Sequence, residues 1–523
     1  QGSASSRSSG RRHPLARTGG RSLDMAASVL ETRKDEVNVD DVGRWLERAK
    51  NGHHESITTI DLPSKRIGMD ELALLGTLFM HCPGLRSIRL RGNEIRDEGA
   101  VFLATLLTLE PPSRLSHLDL SANGLTAPGA VAVARAFLER LLAPEAQPAE
   151  PLLDLSDNCL GDGGVSEVAQ LLGGQVGLRL RLRGVGCTRG GLNELLKHKG
   201  SLSELDLASN PIGTSGTVAV CSAALATAGW HTLGLARVRG GAAPPPPKAA
   251  PNSDPTADFF VDTLVECVRN ARGLTALDLS GNGLGDGGCA QLVEAVGARA
   301  AHGSLPLRRL SLCSNGCGRQ TAEALQRVLA GSDLRELRLE DNALDDEAAE
   351  KLADGLARST SLEQLCLSYN AIGDRGAEEL ARGLRSQCAA VGEAIGGARG
   401  GGQGGREVCC LRDLWLSGNP VGDRCARALA SAASAAPEAA GLERLWLADL
   451  RGKGVLHAGL EALRAAVAAR AAAAGEVSRR LDSQDSSTSP PPAEAGAARV
   501  QGRPPAALEV FGLPLSSPGA EEA

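Results

Sequence analysis

Six aspartates at one recurring offset are the first residues in this chain that could do chemistry: Asp97, Asp162, Asp286, Asp346, Asp374 and Asp423. Six carboxylates could hold a metal or serve as acids and bases. Each, however, opens an Ala/Leu-rich stretch, as in Gly373-Asp374-Arg375-Gly376 followed by Ala377, Leu380 and Leu384 at helical spacing. A carboxylate there accepts an orphan N–H of the first helical turn, so a helix-capping role is the simpler reading. Cys313 and Cys317 stand four apart, but Cys317 occupies an apolar motif position; Cys289 and Cys425 fall where a small hydrophobe suits helix-on-strand packing. Cys409-Cys410 leaves a zinc pair open, and His53-His54 beside Asn51-Gly52 lack ligand-spaced partners. The glycine run Gly400 to Gly405 fails as a phosphate cradle because no Gly-Lys-Ser/Thr follows, and it reads as a linker. The sequence holds no His-Glu-x-x-His, Gly-x-Ser-x-Gly or Cys-x-x-Cys. The expectation is no catalytic residue, no cofactor and no metal.

The elements that position these residues come from a repeat. Leu85-x-x-Ile88-x-Leu90-x-x-Asn93-x-Ile95 returns as Leu115 to Leu125, Leu202 to Ile212, Leu274 to Leu284, Leu334 to Leu344, Leu362 to Ile372 and Leu411 to Val421. Variants occur at Leu153 to Leu160 and Leu307 to Cys317, and degenerate copies at Leu178 to Gly191, with Val185 for Asn, and at Leu233 to Val238. Alternation such as Leu365-Cys366-Leu367 has period 2 and predicts a strand; the stretch after each Asn predicts a helix. The motif asparagines are expected to hydrogen-bond backbone between neighbouring turns. This motif resembles the ribonuclease-inhibitor-like leucine-rich repeats. The resemblance covers residues 57–470 and implies an α/β solenoid, a horseshoe with a parallel sheet on its concave face and helices on its convex face. It specifies fold strongly and function weakly.

In such a horseshoe the residue between the last two motif apolars faces the concave side. That column reads Asp61, Arg89, Asp119, Asp154, Arg181, Asp206, Gly234, Asp278, Ser311, Arg338, Cys366, Trp415, Trp446. It is charged and mostly acidic at first, and Asp119, Asp154, Asp206 and Asp278 are candidate partner contacts. It ends on two of the chain's four tryptophans. Trp415 and Trp446 either stack on each other or lie under the C-terminal tail, or they anchor a partner, with Asp413 and Arg444 as a polar rim.

Around the array, residues 1–34 read as a disordered Arg/Ser-rich leader whose composition also resembles an organelle transit peptide. Residues 35–56 read as an N-terminal helical cap, 57–474 as the array with loop insertions at about 240–258 and 386–407, and 475–523 as a disordered tail. The last unit's Ala-rich stretch from about Leu456 to Ala474 reads as a capping helix. Net charge is −6, and the five arginines of residues 1–23, with no acid among them, leave the body more acidic still, which argues against a nucleic-acid partner. No apolar stretch suits a membrane span, and the 13 scattered cysteines read as free thiols of a reducing compartment. The expected function is a monomeric, non-catalytic scaffold, cytoplasmic or nuclear, holding a protein on its concave face. The alternative that the resemblance brings is a GTPase-activating protein for a Ran-type small GTPase.

Overall fold

The computed structural model describes residues 29–31, 45, 47, 57–82, 84–109, 115–141, 150–173, 177–239, 255–299, 306–397, 411–434, 442–448, 458–469 and 509–511. Among these, fifteen strands form one parallel sheet in chain order, from β1 (Val29–Glu31) and β2 (Thr59–Asp61) to β14 (Arg444–Trp446) and β15 (Glu509–Phe511). Parallel neighbours need a crossover, and between β2 and β14 each is a stretch holding a helix. The result is the expected α/β solenoid. The central residue of each strand from Ile60 through Leu118 and Leu277 to Leu445 is buried, and so are the motif leucines two positions later. Period-2 alternation therefore places the flanking residues on the outer, concave side.

The motif asparagines join repeats as expected. Asn93 accepts hydrogen bonds at Oδ1 from Lys65 N (2.8 Å) and Ile67 N (3.0 Å) of the preceding repeat. Its Nδ2 donates to Leu62 O and Leu90 O. A buried amide with both its donors and its acceptor engaged carries little desolvation penalty. Where Val185 and Val238 replace Asn, their backbone carbonyls still accept from Gly161 N and Gly213 N, but the side chain only fills space.

The six aspartates do cap helices, but not their own. Asp97 accepts from Thr126 N, Asp162 from Thr188 N, Asp286 from Gly318 and Thr321 N, Asp346 from Gly373 and Gly376 N, Asp374 from Gly422 and Cys425 N, and Asp423 from Gly459 N. Each acid from Asp97 to Asp423 lies in the first turn of its own helix, while its side chain reaches the start of the next. The cap is thus a tie between repeats.

The ends and insertions differ from the sequence reading. Within the N-terminal cap, Trp45 and Glu47 are described; both are helical and Trp45 is buried in the core. Val29–Glu31 of the leader and Glu509–Phe511 of the tail, both expected to lack structure, pair with the outermost array strands β2 and β14. A solenoid's terminal strands offer unpaired N–H and C=O groups, which recruit any compatible extended segment. The second insertion begins as helix: Asp374–Gly397 is continuous, and buried Gln387 donates to Ser359 O and accepts from Leu411 N. The first insertion ends as helix from Pro255. Residues 458–469 are helical, with Leu463 and Ala466 buried, in the position of the expected C-terminal cap. His53-His54, Cys409-Cys410 and the glycine run lie outside the described residues. No helix among the described residues is long and apolar enough to cross a membrane.

Candidate binding surface

The C-terminal end of the concave face is built by β13 (Asp413–Trp415) and β14, paired so that Asp413 faces Arg444 and Trp415 faces Trp446. Leu414, Leu416, Leu445 and Leu447 enter the core. Alternation then forces both indoles to the concave side, where each is half-buried. They stack at 4.2 Å between ring centroids with 10° between planes. They stack on each other, the first of the two structural alternatives, and each indole still keeps part of its surface open.

The polar rim is not as expected. Asp413 is only 1% exposed and accepts from Arg444 Nε and Nη2, both at 2.6 Å, and from Gln364 Nε2 at 2.9 Å. It lies beneath the surface because a first-position acid flanked by long side chains on both neighbouring strands is covered by them. Arg444 stays 45% exposed at its side chain and lies 5.7 Å over the Trp446 ring. Asp413 is therefore a positioning residue for Arg444, and Arg444 is the group that meets solvent.

Beside Trp415 opens a pocket of about 200 Å³ lined by Glu336, Arg338, Glu340, Gln364 and Cys366. It is too small for a drug-sized ligand and suits one inserted side chain. Arg338 pairs with Glu340 at 3.2 Å, and the Cys366 thiol donates to Glu340 Oε1 at 2.7 Å. Burial and that carboxylate push the Cys366 thiol far above its ordinary value, so it stays protonated and unreactive.

Three acids of the column, Asp154, Asp206 and Asp278, line a wider cavity of about 420 Å³ on the central concave face, together with Arg181 and Arg338. Each acid also serves the backbone two residues on: Asp119 accepts from Ser121 N, Asp154 from Ser156 N, Asp206 from Ala208 N and Asp278 from Ser280 N. Burial, with neighbouring acids, raises the Asp154 and Asp206 carboxyls above the usual range. Asp206 leans across Gly234, where an added Cβ would meet Asp206 Oδ1 at 2.3 Å, so a side chain there would displace the Asp206 carboxylate. Asp119 lies outside that cavity's lining, and the tryptophans lie at the far end of the face. The candidates thus fall into two regions.

Sequence reasoning missed Glu204. It is buried on β7 (Leu202–Asp206) and accepts from Arg179 Nε at 2.8 Å and Arg181 Nε at 2.6 Å on β6 (Leu178–Arg181). Burial alone would raise its carboxyl, but these two guanidinium bonds outweigh it and hold it below the usual range. The signal was available in the first-residue column, where Arg179 stands opposite Glu204. Among the described residues no group of three His, Cys, Asp or Glu side chains is placed to hold a metal.

A family model described as Leucine Rich repeat matches residues 81–104, 114–134, 152–169, 199–221, 272–293, 332–353 and 358–381. The Ribonuclease inhibitor of Sus scrofa is 30% identical over 290 residues, 54% of this chain and 57% of that protein. NACHT, LRR and PYD domains-containing protein 13 of Homo sapiens is 32% identical over 172 residues, 32% of this chain and 15% of its own length. The chain therefore spans less than two thirds of either relative. A solved structure, the Rad7 and Elc1 complex in yeast, aligns with TM-score 0.49 at 16% identity, over 80% of this chain and 85% of that one. With the Asn ladder and the single parallel sheet, the matched repeats make this chain a leucine-rich-repeat protein of the ribonuclease-inhibitor-like type.

Proposed function

We propose that this protein is a monomeric, non-catalytic scaffold that holds a protein partner on its concave sheet, with Trp415 and Trp446 as the anchor. The observation that carries this reading is the stacked indole pair, half-open on the concave side while its four flanking leucines and Asp413 are buried. A rigid aromatic platform loses little entropy on contact, and aromatic and arginine residues dominate binding energy at such centres. Arg444, fixed by Asp413, supplies an oriented cation at its border. The pocket beside Trp415 offers a socket for one partner side chain. The acidic column with Arg181 and Arg338 supplies charges of both signs that would set register more than affinity. Partner capture by the full chain, followed by mass spectrometry and a binding titration of the captured protein, tests this. Specific capture that weakens when the two tryptophans are replaced supports the reading. Undiminished capture by a well-folded double variant would remove the anchor from the concave C-terminal end.

A further inference from the structure

The last three strands repeat one chemical pattern. β13 reads Asp413-Leu414-Trp415, β14 reads Arg444-Leu445-Trp446, and β15 reads Glu509-Val510-Phe511. Their register aligns the three columns: acid, base, acid in the first; aliphatic in the second; aromatic in the third. Val510 packs partly buried against the core where β13 and β14 place Leu414 and Leu445. This match in charge, volume and aromaticity is what a specific seat would demand.

β15 is nevertheless no ordinary repeat. Glu509 stands 65 residues after Arg444, whereas Arg444 stands 31 after Asp413. Where the motif has leucines before and after the central residue, this segment has Ala507 and Gly512, and it has Leu515 at the asparagine position. It therefore lacks the ladder residue that ties every well-formed repeat to its predecessor. Three paired residues at a sheet edge, without that tie, form the kind of element that opens before the array does.

We propose that the outer edge of β14 is a strand-docking site selective for an extended acidic–aliphatic–aromatic segment, and that the chain's own Glu509-Val510-Phe511 is its resident occupant. The edge supplies backbone N–H and C=O groups, and the columns supply selectivity: Arg444 for the acid, a core socket beside Leu445 for the aliphatic residue, and the Trp446 position for the aromatic one. Because the resident is tethered, it competes at a high effective concentration, so the site is filled in the intact chain. A second segment of the same chemistry enters only when the resident is displaced.

The test needs no partner protein, so its outcome is separate from that of the scaffold reading. A fluorescently labelled peptide of residues 505–516 is titrated against the full chain and against the full chain carrying Val510→Asp, which puts a carboxylate where the core takes an aliphatic side chain. The expected result is binding to the variant at least about ten-fold tighter than to the unaltered chain. A peptide carrying Glu509→Arg should lose that binding through like charge with Arg444. If Val510→Asp costs the fold, Glu509→Arg in the full chain empties the seat instead, and the unaltered peptide is titrated against it. Equal binding to occupied and vacated chains, no binding to either vacated variant, or equal binding of the charge-reversed peptide would each overturn the proposal.

Discussion

Arg444 and Asp413 form a lopsided pair: two 2.6 Å hydrogen bonds join a guanidinium that is 45% exposed to a carboxylate that is almost wholly enclosed. Removing either end is therefore not equivalent. Asp413→Ala releases an arginine that water can solvate. Arg444→Ala strands a buried carboxylate, a cost of about 2–3 kcal/mol. Chemical denaturation of both variants should find Arg444→Ala the less stable; the reverse order would mean that Asp413 reaches water when unpaired.

The indole stack gives the second prediction. Trp415→Ala with Trp446→Ala should cost about 1 kcal/mol of stability for the lost stack, in addition to the ring area it exposes. Binding of the captured partner should weaken by about 2 kcal/mol or more. Thermal melting beside a binding titration separates the two. A large stability loss with intact binding would make the indoles structural and move the site to the acidic column.

Caps that tie neighbouring repeats predict a displaced effect. Asp346→Ala should cost about 1–2 kcal/mol, and the loss should appear at the start of the following helix, where Gly373 and Gly376 lose their acceptor. Amide hydrogen exchange at residues 373–377 reads this directly. Faster exchange only at residues 346–350 would show that the acid serves its own helix.

Glu204 predicts the acid response. Its folded value lies below its unfolded one, so its contribution is present above the unfolded value near pH 4 and is lost as pH falls through the folded value. Asp154 and Asp206 have the opposite sign: their raised folded values favour folding at low pH, and that contribution is lost as pH rises through them. Glu204→Gln should thus destabilise by about 2 kcal/mol at neutral pH, with the difference from the unaltered chain shrinking below about pH 4. A difference independent of pH would contradict the ion-pair account.

Repeats without the asparagine should open first. Around Val185 and Val238 a backbone bond survives but the side-chain amide's bonds are gone, so exchange within 178–239 should lead the array. Uniform protection there would count against it. As for the alternative function, the full chain in catalytic amounts should leave hydrolysis by a Ran-type GTPase unchanged, whereas an activating protein accelerates such hydrolysis by orders of magnitude.

Much of this molecule is local, and what is local was legible in the amino acids. Leucines at period 2 settle which way Trp415 and Trp446 point, and a recurring Asn settles how turns are tied, because both depend only on spacing within one repeat. What depends on the distance between repeats was not legible. The acids Asp97 to Asp423 stand at their own helix starts in sequence, yet stacking brings the next helix's free N–H groups within their reach. Asp413 has the look of a surface acid, and only the side chains of Arg444 and Gln364, from the strands on either side, enclose it. Val29–Glu31 and Glu509–Phe511 sit in segments whose composition argues for no structure, and an unpaired sheet edge gives each of them one. Periodicity encodes the face a side chain takes; the partner it meets there is chosen by residues tens of positions away, which only the assembled solenoid brings together.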